Sequence, residues 1–197
     1  MSRVLVLPLL LISAVNSAIL TFGRNIAWMA LALMVIVILV QVFFRYVLNN
    51  ALPWPDEAAR FLMLWMMGLI APLALRQGGF VAIDTVPRAL PAMVAKLLML
   101  VLLVLSCLVL VTAIQLGWKH TMGFGGNFDS SSLKLPLDWF GGESMRVKLR
   151  YMYGSLLVCV ILMLAVTVEL ILRTLINLID PNHPLPHIGG DVIAGAD

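Results

Sequence analysis

Two charged residues interrupt a long apolar segment near the end of the chain, and they are the first candidates for chemistry. Glu169 and Arg173 lie four residues apart, so on a helix they share one face, with the acid before the base as such pairs prefer. An ionisable group at membrane depth is costly, which makes it a functional candidate by default. We expect a paired charge. There are two alternatives: a contact with a second subunit, and a relay for protons or ions. The relay is disfavoured because it needs a chain of such groups.

A second group of charges lies at residues 54–60, next to another apolar segment. Pro55 suits the first position of a helix, and Asp56 and Glu57 complement the positive end of its dipole. Arg60 is spaced to pair with Asp56 at i,i+4 and with Glu57 at i,i+3. We therefore expect a charge-paired helix entry with Trp54 as an interface anchor. A docking surface for a partner protein is the alternative, because charges and an indole suit directional contacts.

The other reactive residue types form no recognisable catalytic or metal-binding pattern. The histidines lie outside the apolar segments, which disfavours haem ligation, and prolines between His183 and His187 disfavour their convergence on a metal. Cys107 and Cys159 each lie within an apolar run, and no histidine is near either in sequence. The sequence predicts no cofactor, no metal site and no enzyme activity.

The composition indicates that membrane-spanning helices position these residues. Of the 197 residues, 62% are apolar and 12% are charged, and the mean hydropathy is +1.04. A soluble domain carries roughly 25% charged residues, so this chain has too few to cover a surface in water. The sequence has no run of basic residues, so a nucleic-acid partner is not indicated. The sequence predicts an all-α integral membrane protein whose surroundings are the lipid bilayer.

Four long, tilted transmembrane helices are predicted, because four apolar segments reach the roughly 20 residues that a crossing needs. They cover residues 26–47, 56–76, 95–118 and 151–173. We expect residues 119–150 to form an irregular, water-facing loop, in which the glycines from Gly123 to Gly126 make a flexible segment rather than a phosphate site. Residues 180–197, rich in proline and glycine, are predicted to be a flexible tail.

Residues 4–24 are predicted to form a separate amphipathic helix that lies flat on the membrane. Ser13, Asn16, Ser17, Thr21 and Arg24 recur at intervals of three or four and so share one face, opposite an apolar face. A fifth span and a secretory signal are the alternatives. Lysine and arginine divide almost evenly between the two sides of the predicted spans, with a slight bias toward both termini being cytoplasmic.

Three motifs together resemble the small, Q-type membrane subunit of tripartite ATP-independent periplasmic (TRAP) transporters. They are Phe44-Arg45-Tyr46 at the end of the first span, Trp54-Pro55-Asp56-Glu57-Ala58-Ala59-Arg60 at the start of the second, and Arg76 followed by Gly79 and Val81-Ala82-Ile83-Asp84 after it. The family usually has a histidine where Phe80 stands, which counts against a role that requires an imidazole there.

The resemblance implies a non-catalytic scaffold in a sodium-coupled uptake system for organic acids or similar small solutes. Its partners would be a large, M-type elevator subunit and a periplasmic substrate-binding protein, in the bacterial inner membrane, with both termini in the cytoplasm and residues 119–150 in the periplasm. A membrane anchor of a redox complex and a membrane enzyme acting on lipid are the alternatives. The residues expected to stabilise the fold or its interfaces are Arg45, Trp54, Asp56, Glu57, Arg60, Arg76, Asp84, Glu169 and Arg173.

Overall fold

The structure, a computed structural model, describes residues 2–78, 91–135 and 145–180. Asp84, Phe80 and the predicted tail beyond Asp180 lie outside the described residues. The elements in chain order are α1 (Ser2–Tyr46), α2 (Trp54–Arg76), α3 (Ala92–Met122), a short 3-10 helix (Phe124–Asn127), β1 (Asp129–Leu135), β2 (Met145–Lys148) and α4 (Arg150–Ile179).

Four helices in the described part of the chain are long and apolar enough to cross a membrane, which confirms the predicted fold class. Many of their large apolar side chains are exposed, among them Met29 and Leu33 on α1, Met67 on α2 and Leu108 on α3. Such side chains would be unfavourable in water, but in a bilayer they contact hydrocarbon. With 45 residues, α1 is about twice as long as a perpendicular crossing requires, so it must tilt or extend beyond the bilayer.

The ends of α1 and α2 are set by residues that turn the backbone. After α1, Asn49 adopts a left-handed conformation (φ 50°), which asparagine tolerates better than most residues, and the Asn50 N–H donates to the Phe44 carbonyl at 3.0 Å. Pro55 and the two acids open α2 as predicted. Gly78 follows α2 with φ 74°, a conformation that favours glycine and ends the helix.

The predicted separate helix over residues 4–24 is not confirmed, because α1 continues without a break through residue 25 to Tyr46. Ser13 and Asn16, on the polar face, are buried inside the protein, whereas Leu7, Leu11 and Phe22 are exposed. The predicted polar face is therefore present, but its residues Ser13 and Asn16 pack against other helices of the chain. Ser13 and Asn16 contact charged side chains on those helices, not the membrane surface.

The prediction of an irregular loop after α3 is partly wrong. Residues 124–127 form a 3-10 helix, and β1 pairs antiparallel with β2. Asp129 pairs with Lys148, and Lys134 pairs with Arg146. An advance of five residues along β1 thus corresponds to two residues along β2, so the pairing contains a large bulge. A Cβ on Gly126 would lie 2.3 Å from the Thr121 carbonyl oxygen. Glycine is thus required there by a close backbone approach, and the segment is not merely flexible.

The chain divides into two compact units. The first unit comprises residues 1–22, 71–112 and 161–197, and its core includes Leu9, Leu20, Val166 and Ile176. The second unit comprises residues 23–70 and 113–160, and its core includes Ala27, Ala30, Leu69 and Leu157.

Within the second unit, α2 and α4 approach closely at a glycine. A Cβ on Gly68 would lie 2.8 Å from the Ser155 carbonyl oxygen. Small residues permit such close backbone contacts, which drive helix association where the hydrophobic effect is absent.

Candidate functional site

Charged side chains meet in the interior of the first unit. We use the name buried charge cluster for Arg76, Glu169 and Arg173 together with Ser13 and Asn16. The three charged residues are 4%, 0% and 8% exposed, respectively. They come from the C-terminal end of α2 and from successive turns of α4, and α1 contributes the serine and the asparagine. Three helix segments of this unit therefore meet at one carboxylate.

The Glu169 carboxylate is the centre of the buried charge cluster. Its Oε1 accepts from Arg76 Nη2 at 3.0 Å and from Arg173 Nη2 at 2.8 Å. Its Oε2 accepts from Arg76 Nε at 3.1 Å and from Asn16 Nδ2 at 2.8 Å. Oε1 also accepts from Arg173 Nε at 3.0 Å and from Arg76 Nε at 3.3 Å. Each oxygen therefore accepts from two different side chains, and charge-assisted bonds of this kind are among the strongest that side chains make.

Ser13 connects the two guanidinium groups. Its Oγ accepts from Arg76 Nη2 and from Arg173 Nη2, each at 3.0 Å, and its carbonyl oxygen accepts from Arg76 Nη2 at 3.1 Å. Asn16 also donates to the Ala165 carbonyl at 3.2 Å. A buried ion is tolerated only when its hydrogen-bonding groups are satisfied, and α1 supplies part of that satisfaction here.

The predicted pair of Glu169 and Arg173 is formed, but the cluster holds more than this pair. Arg76, 93 residues away in sequence from Glu169, is its second cationic partner, and sequence reasoning did not link them. Ser13 and Asn16 were also missed as partners. A signal for them exists in the sequence, since both belong to the polar face of α1, but that face predicts a helix lying flat on the membrane.

Most of the other predicted site residues lie in the second unit. We use the name surface charge cluster for Arg45, Trp54, Asp56, Glu57 and Arg60. Asp56 Oδ1 accepts from Gln41 Nε2 at 2.8 Å, and the Arg45 guanidinium lies 5.8 Å from the centre of the Tyr46 ring.

The surface charge cluster differs from its prediction in two respects. The predicted pair between Asp56 and Arg60 is not formed. Asp56 instead reaches Gln41, the one polar residue from Ile26 to Phe44, which sequence reasoning had not assigned to any contact. Arg45, Asp56 and Arg60 are exposed and Glu57 is half-buried, so this cluster is accessible from outside the chain.

The carboxylate oxygens of the buried charge cluster are engaged in hydrogen bonds within the chain. In residues 2–78, 91–135 and 145–180, no group of three or more His, Cys, Asp or Glu side chains is placed to hold a metal ion. A sodium ion or a transferred proton would need oxygen lone pairs, and each oxygen of Glu169 already accepts hydrogen bonds from two side chains. What the cluster can do is hold three helix segments at fixed positions.

Comparison with known proteins identifies the family. No curated protein matches the sequence at a significant level. The family described as "Tripartite ATP-independent periplasmic transporters, DctQ component" matches residues 34–177, which is most of the chain and includes the surface charge cluster and Arg76, Glu169 and Arg173. The four spanning helices and this match agree with the motifs at residues 44–46 and 54–60. The chain therefore belongs to the DctQ family and is a small membrane subunit of a TRAP transporter.

Proposed function

We propose that the chain is the stationary, non-catalytic scaffold of a sodium-coupled TRAP uptake system for organic acids or similar small solutes. In this role it braces a large, elevator-type M subunit that carries the solute and the coupling ion. The observation that carries the proposal is the saturation of Glu169 by donors from the chain itself. A group that must bind and release an ion cannot also be the fixed junction of three helix segments.

The buried charge cluster suits a part that does not move. Removing one partner from a buried ion pair leaves an uncompensated charge, so any motion that separated these groups would be strongly unfavourable. An elevator subunit needs a fixed neighbour against which to move, and a chain whose helices are locked by buried charges meets that need.

The exterior of the chain suits contact with a membrane partner. Large apolar side chains are exposed along α1 and α3, and lipid-embedded helices associate through shape fit and a few polar contacts. The surface charge cluster would supply the polar contacts to the M subunit. We expect the bulged hairpin to lie in the periplasm, where it could meet the substrate-binding protein.

The proposal is tested by reconstitution into vesicles of the small subunit alone, the M subunit alone, and both together with the binding protein. Solute uptake driven by a sodium gradient is expected when all three components are present, and replacing the sodium gradient with a potassium gradient is the matched control. Uptake by vesicles that contain the small subunit alone would overturn the scaffold assignment.

The proposed location is the inner membrane with both termini cytoplasmic. In a background with Cys107 and Cys159 replaced by alanine, Asp129→Cys on β1 should react with an impermeant maleimide added to intact cells from the periplasmic side. Gln77→Cys, exposed after α2, is the matched control and should react only after permeabilisation. The opposite labelling pattern would reverse the orientation.

A further inference from the structure

A half-open apolar groove of about 400 Å³ lies in the first unit. Its walls are Met99, Leu103 and Leu110 on α3 and Met163 and Leu170 on α4, and Leu75 at the end of α2 also contributes. The lining does not include Arg76, Glu169 or Arg173, so the groove is separate from the buried charge cluster. Its volume is within the range of roughly 300–1,000 Å³ that is typical of small-molecule sites.

A polar contact joins α3 and α4 outside the groove lining, nearer the start of α3 and the end of α4. Lys96 Nζ donates to the carbonyl oxygen of Asn177 at 3.0 Å and to its Oδ1 at 3.2 Å. Lys96 precedes Met99 by three residues and Asn177 follows Leu170 by seven, so each lies on the groove-lining face of its helix, beyond the apolar walls. An ammonium group has three N–H donors, and the described residues use two, which leaves one for an outside acceptor.

The groove has the length of one leaflet. The eleven-residue separation of Met99 and Leu110 on α3 spans about 16 Å. This is about half of the roughly 30 Å hydrocarbon thickness of a bilayer. A molecule that matches the groove is therefore apolar over one leaflet and carries a hydrogen-bond acceptor, favourably an anion, at the end next to Lys96.

We propose that this groove binds one phospholipid, with an acyl chain between α3 and α4 and the phosphate accepting a hydrogen bond from Lys96. Charge complementarity favours a lipid with a net negative headgroup, such as phosphatidylglycerol, over a zwitterionic one. The site is independent of the proposed role in transport, because it requires only this chain and a bilayer.

The headgroup contact is tested with the full-length chain, purified and delipidated in mild detergent and titrated with phosphatidylglycerol under native mass spectrometry. Lys96→Gln should weaken binding about fivefold, the effect of one cation near a membrane phosphate. Lys119→Gln, an exposed cation in the last turn of the same helix and in the second unit, is the matched control and should not change it. Equal affinities for the two variants would overturn the proposal.

The acyl-chain contact is tested by filling the groove. Ser106 lines it and has a small side chain, so Ser106→Trp should abolish retention of one lipid per chain. Leu108→Trp, at an exposed position of α3 outside the lining, should retain it. Thermal unfolding of both variants shows whether either has lost its fold, and Lys96→Gln decides the question if Ser106→Trp does not fold.

A helix of a partner protein is the competing occupant. In the assembled transporter, with Cys107 and Cys159 replaced by alanine, Ser106→Cys tests for that helix by cross-linking. A cross-link to the M subunit, with no lipid retained in the purified complex, would overturn the proposal and assign the groove to a protein interface. Retention of phosphatidylglycerol in that complex, lost on Ser106→Trp and kept on Leu108→Trp, would support it.

Discussion

The buried and surface charge clusters use similar residue types in opposite ways. In the buried charge cluster, Glu169 is fully buried and accepts hydrogen bonds from three side chains of three helices. In the surface charge cluster, Asp56 is exposed and reaches one neutral amide, that of Gln41. Both clusters contain acids and arginines, but two guanidinium groups converge on Glu169, whereas the contact of Asp56 is with a neutral amide.

This difference follows from the cost of burying charge. A buried carboxylate must have all its hydrogen-bonding capacity met within the protein, so its geometry becomes a fixed part of the fold. An exposed carboxylate is hydrated and gains little from an ion pair, so its side chain is available for other contacts. The buried charge cluster is therefore suited to holding the fold, and the surface charge cluster to contacting a partner.

The largest effect is expected from Glu169→Gln. The change leaves two guanidinium groups beside a neutral amide, with their mutual repulsion no longer compensated. We expect a loss of about 3–5 kcal/mol in stability, as for removal of one partner from a buried ion pair. The measurement is the yield of monodisperse protein in detergent together with its thermal unfolding.

Asp56→Asn is the matched control for that prediction, because it makes the same carboxylate-to-amide change in the surface charge cluster. We expect it to alter stability by about 0–1 kcal/mol. If both variants unfold at the same temperature, the distinction between the clusters is wrong.

A second prediction concerns what holds the second unit, where the charges are exposed. Gly68→Ala would place a Cβ 2.8 Å from the Ser155 carbonyl oxygen, so α2 and α4 must separate there. We expect a cost of about 1–3 kcal/mol, as for other overpacked sites, measured by thermal unfolding in detergent.

Gly154→Ala is the control for Gly68→Ala, since a Cβ on Gly154 meets nothing within 4 Å. It should be neutral or stabilise α4 by about 0.5–1 kcal/mol, because alanine favours a helix interior more than glycine does. If Gly154→Ala lost as much stability as Gly68→Ala, the cost at Gly68 could not be attributed to the close contact between α2 and α4.

A third prediction tests whether α1 takes part in the buried charge cluster. Ser13→Ala removes the hydroxyl that accepts from both guanidinium groups, while the Ser13 carbonyl still accepts from Arg76. We expect a loss of about 1–2 kcal/mol, typical of a hydrogen bond to a charged group. Ser17→Ala, exposed one turn later, should change the unfolding temperature little, and equal effects at the two positions would mean that the Ser13 hydroxyl does not stabilise the cluster.

The local parts of this architecture could be predicted from the sequence. The spans follow from unbroken apolar segments, because the backbone in lipid must satisfy its own hydrogen bonds. The pair of Glu169 and Arg173 follows from helical spacing alone. The family follows from residues 44–46, 54–60 and 76–84, whose motifs need no knowledge of the fold.

The contacts between distant segments could not be predicted. Arg76 and Glu169 are 93 residues apart, and Ser13 and Asn16 are farther still from Arg173 and Glu169, so their meeting depends on how helices pack. The polar face of α1 fits an interfacial helix and a buried polar seam equally well by periodicity. The choice depends on charges elsewhere in the chain that need hydrogen-bond partners.

The hairpin was missed for a similar reason. The stretch from Asp129 to Ser132 has low strand propensity, and the pairing with β2 is interrupted by a large irregularity. The segment also lacks the alternation of apolar and polar residues that would predict a strand at β1. Its formation depends on pairing with a segment that lies beyond residues 136–144.

The smallest effect on stability, and the most direct test of the surface charge cluster, is expected from reversing single charges. Arg60→Glu reverses an exposed charge and should change the unfolding free energy by less than about 1 kcal/mol, because the cost of such a reversal is small. Glu57→Lys reverses a half-buried charge and should cost less than Glu169→Gln, whose carboxylate is fully buried. Each should nevertheless reduce co-purification with the M subunit and uptake in cells. Lys119→Glu, an exposed reversal at the end of α3, is the control and should leave assembly unchanged.

The double variant Glu57→Lys with Arg60→Glu distinguishes an internal role from an external one. If these residues serve each other at the helix entry, the swap restores the attraction between them and assembly recovers. If they face a partner, both contacts remain reversed and assembly stays low, since like charges across an interface repel. Normal uptake with either single reversal would instead limit the surface charge cluster to starting α2, and the docking of the M subunit would then have to rest on the apolar faces alone.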